Sequence, residues 1–338
     1  MKNKNKTIIV AEISANHNQD IEIAYKTIIA AKEAGADAVK IQTYTPDSIT
    51  IDCNKPYFMT RENGLWSGQT LYSLYKKACT PYEWHEELFK FAKENDIVLF
   101  STPFDIEAVD FLEKLGNPIY KIASFELVDV NLIQHAAKFG KPMIMSTGIA
   151  NENEISDAIK SCHDAGNNDI TLLQCTSEYP ATLDNANLCM IPEMSKRFNV
   201  KTGLSDHTIG MIASLTAVSL GACLIEKHFT IDRKLGGPDS AFSIEPSELK
   251  ELIFNIREVE KSIGIVDYSP SYKDEGRKYK RSLFVVKDLL KDEIFTVENV
   301  KSIRPGNGIS PKYLYDVLGK KAKCNIERGT PLSFDLID

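Results

Sequence analysis

The feature that most constrains this chain is a rhythm. Short runs of β-branched and aliphatic residues alternate with longer stretches of amphipathic spacing, and the pair repeats eight times between residues 7 and 263. The short runs are TIIVAEI from Thr7, AVKIQTY from Ala38, IVLFST from Ile97, IYKIAS from Ile119, PMIMST from Pro142, ITLLQCT from Ile170, VKTGLSD from Val200 and CLIEKHF from Cys223. Between them lie helix-like stretches such as AYKTIIAAKEAGA and PYEWHEELFKFAKEN. This is the pattern of βα units on a parallel sheet. Eight units over about 260 residues fit a TIM (β/α)8 barrel, whose usual size is ~250 residues. An open doubly wound sheet is the competing architecture. It predicts a G-x-G-x-x-G turn after the first strand, where this chain reads EISANHNQD.

Local signals refine the layout. Thr80 is expected to cap the helix of PYEWHEELFKFAKEN, with Pro81 at its first position and Glu83 closing a capping box. An insertion from Thr45 to Ala78 follows the second strand, on the side where barrels carry their active sites, and is expected to cover that end. After Ile263 the polar stretch VDYSPSYKDEGRKYK reads as a linker. The remainder is strand-like, with turn residues Pro305, Gly306, Asn307, Gly308 and Gly329. The expected organisation is a barrel over 1–265, a linker over 266–280 and a small β-rich module over 281–338.

Composition excludes several classes of function. The 338 residues carry a net charge of −7 with Lys and Arg dispersed, which leaves no footprint for nucleic acid. Small anions need only a few placed cations. The seven cysteines contain no C-x-x-C pair, against both a zinc knuckle and a disulfide framework. Glu12 halts the first apolar run too early for a signal peptide, and the apolar stretch Met211 to Ile225 is too short and too polar to span a membrane. A cytoplasmic protein without membrane or nucleic-acid partners is expected.

Every strand end is polar, and that is where a barrel keeps its chemistry. Lysines inside AVKIQ and IYKIA need a reason, because a buried charge is costly unless paired or liganded. Lys40 and Lys121, with Thr102, Ser124, Ser146 and Ser205, would form a funnel of cations and hydroxyls suited to a phosphate or carboxylate. His207 and His228 end consecutive strands, and alternation puts Glu226 on the face of His228. Barrel closure brings Glu12, and His17 after it, to the same corner. Two imidazoles with a carboxylate and room for water suit Mn²⁺, Zn²⁺ or Fe²⁺ by ligand type. His85, His135 and His163 fall in helix-like segments and read as packing or surface residues.

These blocks carry a family resemblance over nearly the whole chain: AEISANHN, AVKIQTYTPD, STPFD, YKIASFE, STGIA, LLQCTSEYP, GLSDHT, EKHF and GGPDSAFS, then RSLF and SIRPGNG. The sequence resembles the sialic acid synthase family, whose members condense phosphoenolpyruvate with an amino-sugar aldehyde to give a nine-carbon 2-keto acid. TYTPD, LWSGQTLYSLYKKACTPYEWH and YKIASFE resemble the branch that makes pseudaminic acid, which implies 2,4-diacetamido-2,4,6-trideoxy-altrose as the sugar. The first block departs from the commoner EIGINHNG at Ser14, Ala15 and Gln19, and Ser177 stands where sialic acid synthases commonly carry Asn.

The resemblance implies Mn²⁺ or Mg²⁺ on His207 and His228, with phosphoenolpyruvate on Lys40, Thr102, Lys121, Ser124, Ser146, Ser177 and Ser205. Tyr179 and Asp239 would meet the sugar. Glu12 would transfer the proton, with Glu226 as alternate. The tail resembles an antifreeze-like (SAF) domain that crosses to the other subunit of a homodimer, where Arg304 would reach the sugar. N-acetylneuraminate or legionaminate synthesis, a metal-dependent hydrolase or aldolase on the same barrel, and a non-catalytic carbohydrate-binding protein are the competing functions.

Overall fold

The computed structural model describes residues 6–62, 64–269 and 274–338. The chain divides into two compact units, Met1–Gly264 and Ile265–Asp338. In the first, eight parallel strands close into a barrel in sequence order: β1 (Ile8–Glu12), β2 (Ala38–Thr43), β3 (Val98–Pro103), β4 (Tyr120–Ile122), β5 (Met143–Ser146), β6 (Ile170–Cys175), β7 (Lys201–Asp206) and β8 (Leu224–His228). Each lies within one of the eight runs picked out by the sequence, except that β3 continues one residue further, to Pro103.

Strand parity decides what faces inward. Side chains alternate across each strand, and parallel pairing keeps partners on the same face. The inner apolar layer is Val10, Ala38, Phe100, Ile144, Leu173 and Leu224, which form one buried cluster. The next inward positions along the same strands are Glu12, Lys40, Thr102, Ser146, Cys175 and Glu226. The interior therefore changes from aliphatic to polar toward the carboxyl ends. Gly203 belongs to this inner face because a Cβ there would meet the Leu224 carbonyl oxygen at 2.3 Å. The outward set, including Ile9, Ala11, Val39, Ile41, Leu204 and Ile225, packs against helices such as Ile21–Ala34 and Pro246–Ile263.

The insertion carries the short helix Pro46–Ile49 and the helix Leu71–Ala78. The segment after it differs from expectation. Pro81 has an extended ψ of 132°, so the first turn is a 3₁₀ helix over Tyr82–Trp84 and the α-helix begins at His85. The buried Thr80 hydroxyl makes no cap and lies 3.4 Å from His17 Nε2 instead.

The second unit contains an antiparallel pair, β9 (Ser282–Val285) and β10 (Val300–Ile303), around a core that includes Leu283, Val285, Phe295 and Val300. Of the stretch read as a linker, Asp274–Arg277 is helical, Lys278 accepts a hydrogen bond from the Gly306 amide, and residues 270–273 lie outside the described residues. Among the described residues no helix is long and apolar enough to cross a membrane.

Outside the barrel wall, Asp206 on β7 and Lys227 on β8 form a buried ion pair at 2.9 Å. The Asp206 carboxylate also accepts from the Thr208 amide, the Thr208 hydroxyl and the Ser214 hydroxyl, while Lys227 donates to the Thr208 carbonyl. Burial opposes the Asp206 charge, but Lys227 and these donors outweigh it and hold the carboxyl below its ordinary range. Removing one partner strands a buried charge. Lys227→Met is expected to destabilise the barrel by about 3–5 kcal/mol, read as a shift of its urea unfolding midpoint.

Candidate active site

Pairing register gathers the charged residues. Glu12 is the partner of Lys40 on one side and of His228 on the other, and Ser205 pairs with Glu226 one layer below. Lys40 Nζ stands 2.7 Å from Glu12 Oε2 and 3.7 Å from Glu226 Oε2, and donates to Thr102 Oγ1 at 3.1 Å. Lys121 Nζ donates to Ser146 Oγ at 2.7 Å and to the Ile122 carbonyl at 2.9 Å, with Glu226 Oε1 at 4.0 Å. The two ammonium groups and two carboxylates are each at most 5% exposed. The expected funnel of cations thus has its charge balanced from within.

Environment drives the two carboxylates apart. Burial raises the Glu12 carboxyl above its ordinary range, an effect only partly offset by Lys40 and reinforced by Glu226. Burial acts on Glu226 as well, but Lys40 and Lys121 outweigh it and hold that carboxyl low. Two neighbouring carboxyls driven in opposite directions are an acid–base arrangement. Burial lowers Lys121, whereas Lys40 is raised because its two carboxylates overcome desolvation.

Beside this quartet the His207 and His228 rings lie with centroids 5.3 Å apart. His207 Nδ1 is 2.9 Å from the Thr176 carbonyl, which can only accept, so Nδ1 carries the proton and Nε2 is left as a ligand. His228 Nδ1 is buried without a hydrogen-bond partner, as is Glu226 Oε2. Burial and the neighbouring His207 keep His228 far below its usual pKa. A neutral imidazole with an orphaned nitrogen fits a divalent ion. Among the described residues no group of three or more His, Cys, Asp or Glu side chains could hold one unaided, so water and substrate would complete the sphere.

The remaining expected residues divide into those at this mouth and those elsewhere. Tyr179 stacks 4.3 Å from the His207 ring and contacts Trp66 of the insertion at 5.7 Å, while Trp66 Nε1 donates to the Pro238 carbonyl. The insertion does reach the mouth. Asp239 is buried 3.9 Å from His228 Nδ1 and accepts from the Ala15 amide. Ser205 donates to Glu226, and Ser124 accepts from the Gly148 amide. A Cβ at Gly148 would meet Ser177 Oγ at 2.5 Å and Ser124 Oγ at 2.9 Å, so these hydroxyls converge on a glycine. His17 is engaged away from the histidine pair, packed edge-on to Trp84 and bonded by the Gln19 amide. Asp206 faces the outer wall. Arg304 is exposed in the second unit, and its side chain makes no hydrogen bond to a described residue.

Several residues beyond the expected set share the site. Gln42 and Cys175 obey the parity that selected Lys40 and Ser205, which is the signal that finds them. Gln42 Nε2 donates to Glu12 Oε1, and Cys175 Sγ is 3.9 Å from His207 Nδ1. Glu126 sits in the short 3₁₀ turn Ser124–Glu126 and Trp66 in a loop, where no periodicity marks them.

With this geometry in view, the comparisons with known proteins agree. The NeuB family pattern matches residues 27–268 and the SAF domain pattern matches residues 280–338. The chain belongs to the NeuB family. It is 46% identical to the pseudaminic acid synthase of Helicobacter pylori over 98% of this chain and 97% of that one. It is 45% identical to the pseudaminic acid synthase of Campylobacter jejuni serotype O:23/36, covering 97% and 95%. The crystal structure of N-acetylneuraminic acid synthetase from Leptospira borgpetersenii in complex with citrate matches with a TM-score of 0.72 at 31% identity, over 81% of this chain and 92% of that one.

Glu126 yields a test of the site's electrostatics. Its residue surface is half-buried, but Oε2 is fully buried and unpartnered, and burial raises the carboxyl from 4.5 to about 7 with Lys121 opposing. Between these values the folded chain holds a proton that the unfolded chain has lost, so stability falls as pH rises through the window. Glu126→Gln is expected to match the parent near pH 4.5 and exceed it by roughly 3 kcal/mol above pH 7, measured by chemical denaturation across that range.

Proposed function

We propose that this protein condenses phosphoenolpyruvate with the aldehyde of an N-acetylated amino sugar and water to give a nonulosonic acid and phosphate. The sugar is 2,4-diacetamido-2,4,6-trideoxy-altrose and the product pseudaminic acid. The observation that carries the reading is the buried quartet of Lys40, Lys121, Glu12 and Glu226 beside a pair of imidazoles. The two pseudaminic acid synthases, matched end to end, support the choice of sugar.

Lys40 and Lys121, with the hydroxyls of Thr102, Ser124, Ser146, Ser177 and Ser205, would bind the phosphate and carboxylate of the enol ester. An arriving anion beside Glu12 further favours its protonated form. Glu12 would therefore hold the proton exchanged with water or with the nascent hydroxyl, while Glu226 stays a carboxylate that orients Ser205 and both lysines. His207 and His228 would hold Mn²⁺ or Mg²⁺, an ion that supplies Lewis-acid polarisation of the sugar aldehyde. These lysines would fix the enol ester while its carbon 3 bonds to the aldehyde carbon, water adds at carbon 2, and the carbon 2–oxygen bond to phosphate breaks. Tyr179 and Asp239 would meet the sugar. Arg304 would complete the site from the partner subunit of a homodimer.

The test is phosphate and keto-acid release from phosphoenolpyruvate with a panel of sugars, with and without chelator. Release is expected only with metal and with the altrose-configured sugar. Turnover of N-acetylmannosamine instead overturns the sugar assignment, and no phosphate with any sugar overturns the synthase. In the same assay Lys121→Met is expected to lower kcat/KM by about a hundredfold or more.

A further inference from the structure

Three residues of the loop that follows β1 hold a left-handed backbone without being glycine: Ser14 at φ 46°, Asn18 at φ 49° and Gln19 at φ 58°. Such conformations are strained for side chains other than glycine and persist where surrounding contacts over-determine them. Here each makes a cross-link. Asn18 Nδ2 donates to the Leu235 and Gly236 carbonyls, and Gln19 Nε2 donates to the Lys77 and Cys79 carbonyls at the end of the insertion. These four bonds are structural. Ser14 differs because its partners lie inside the site.

The Ser14 hydroxyl, 5% exposed as a residue, accepts from Gln42 Nε2 at 2.9 Å. The other Nε2 proton goes to Glu12 Oε1 at 3.0 Å. An amide whose nitrogen is held by a carboxylate and a hydroxyl has its orientation settled, with Oε1 turned the other way. Gln42 Oε1 makes no hydrogen bond among the described residues. The adjacent Ala15 amide donates to Asp239 Oδ2 at 3.3 Å. Two consecutive residues, Ser14 and Ala15, thus hold the Gln42 amide and the carboxylate assigned to the sugar.

We propose that Ser14 is a positioning residue that sets sugar affinity: its hydroxyl, carried on the left-handed backbone, fixes the Gln42 amide so that Oε1 is presented as an acceptor, beside the Asp239 carboxylate held by the adjacent Ala15 amide, for the N–H and O–H donors of a polyhydroxylated, N-acylated substrate. This rests on the synthase reading. The backbone conformation supplies its own control, since glycine would adopt it freely. Ser14→Gly removes the hydroxyl and relieves the strain, whereas Ser14→Ala removes the hydroxyl and keeps the strain.

The experiment is steady-state kinetics of wild type, Ser14→Gly and Ser14→Ala, varying sugar and phosphoenolpyruvate in turn, with Tm recorded for each. Both variants are expected to raise the KM for the sugar roughly tenfold, the order expected for one lost hydrogen bond to a charged or oriented group, with the KM for phosphoenolpyruvate within about twofold. Ser14→Gly is expected to melt no lower than wild type. Unchanged sugar KM in both variants overturns the proposal, as does an equal rise in both KM values that follows Tm, which marks a purely structural role. Wild type inactive on every sugar sinks the synthase reading alone. Crystal structures of wild type and Ser14→Gly then decide the matter: a Gln42 amide that keeps its place without the hydroxyl overturns the assignment.

Discussion

Two ammonium groups and two carboxylates enclosed at one end of a closed sheet are the arrangement on which the rest of this structure depends. Burying any one of them alone would cost several kcal/mol, and together they compensate one another. Lys40 serves both carboxylates but Lys121 acts on Glu226, so the two do not titrate alike: Glu12 is raised and Glu226 lowered. Each lysine can also meet an incoming phosphate or carboxylate, and the added negative charge further favours the protonated form of Glu12. The hydroxyls around the lysines supply donors that suit the same oxygens.

The barrel makes this possible through parity. On β1, Val10 and Glu12 share a face, as do Ala38 and Lys40 on β2, so each strand passes from core to chemistry within two residues. The aliphatic layer beneath excludes water from below and gives the polar layer a rigid floor. The opposite parity sends Lys227 and Asp206 outward, where their ion pair ties β7 to β8 behind the histidines that directly follow them in sequence. Neighbouring residues on one strand thus belong to separate electrostatic systems.

Loops finish the site. The segment from Ser14 to Gln19 bonds to the end of β2, to the turn before Asp239 and to the end of the insertion, so three chain-distant elements meet on one short connection. Its left-handed residues are the cost of that convergence.

The repeat of eight apolar runs was enough to predict the closed barrel, since period and spacing are properties of the chain alone and only a parallel, helix-covered sheet buries such runs on both faces. Parity likewise made Lys40, Lys121, Glu12, Glu226, His207 and His228 legible as inward-facing strand ends. Their electrostatics were not. Which carboxylate keeps its proton depends on distances to lysines on other strands, and those follow from register and closure. Thr80 was misjudged for a related reason: local signals suggested a helix cap, and a tertiary contact with His17 took precedence. Ser14 and Glu126 lie in short 3₁₀ turns and Trp66 in a loop, too short or too irregular for a period to mark a face. Sequence by itself determined the scaffold and the residues that line it, because alternation along a strand is a local rule. Only the tertiary structure decided how those residues share protons and which loops lean over them, because charge interactions at these distances are set by neighbours remote in the chain.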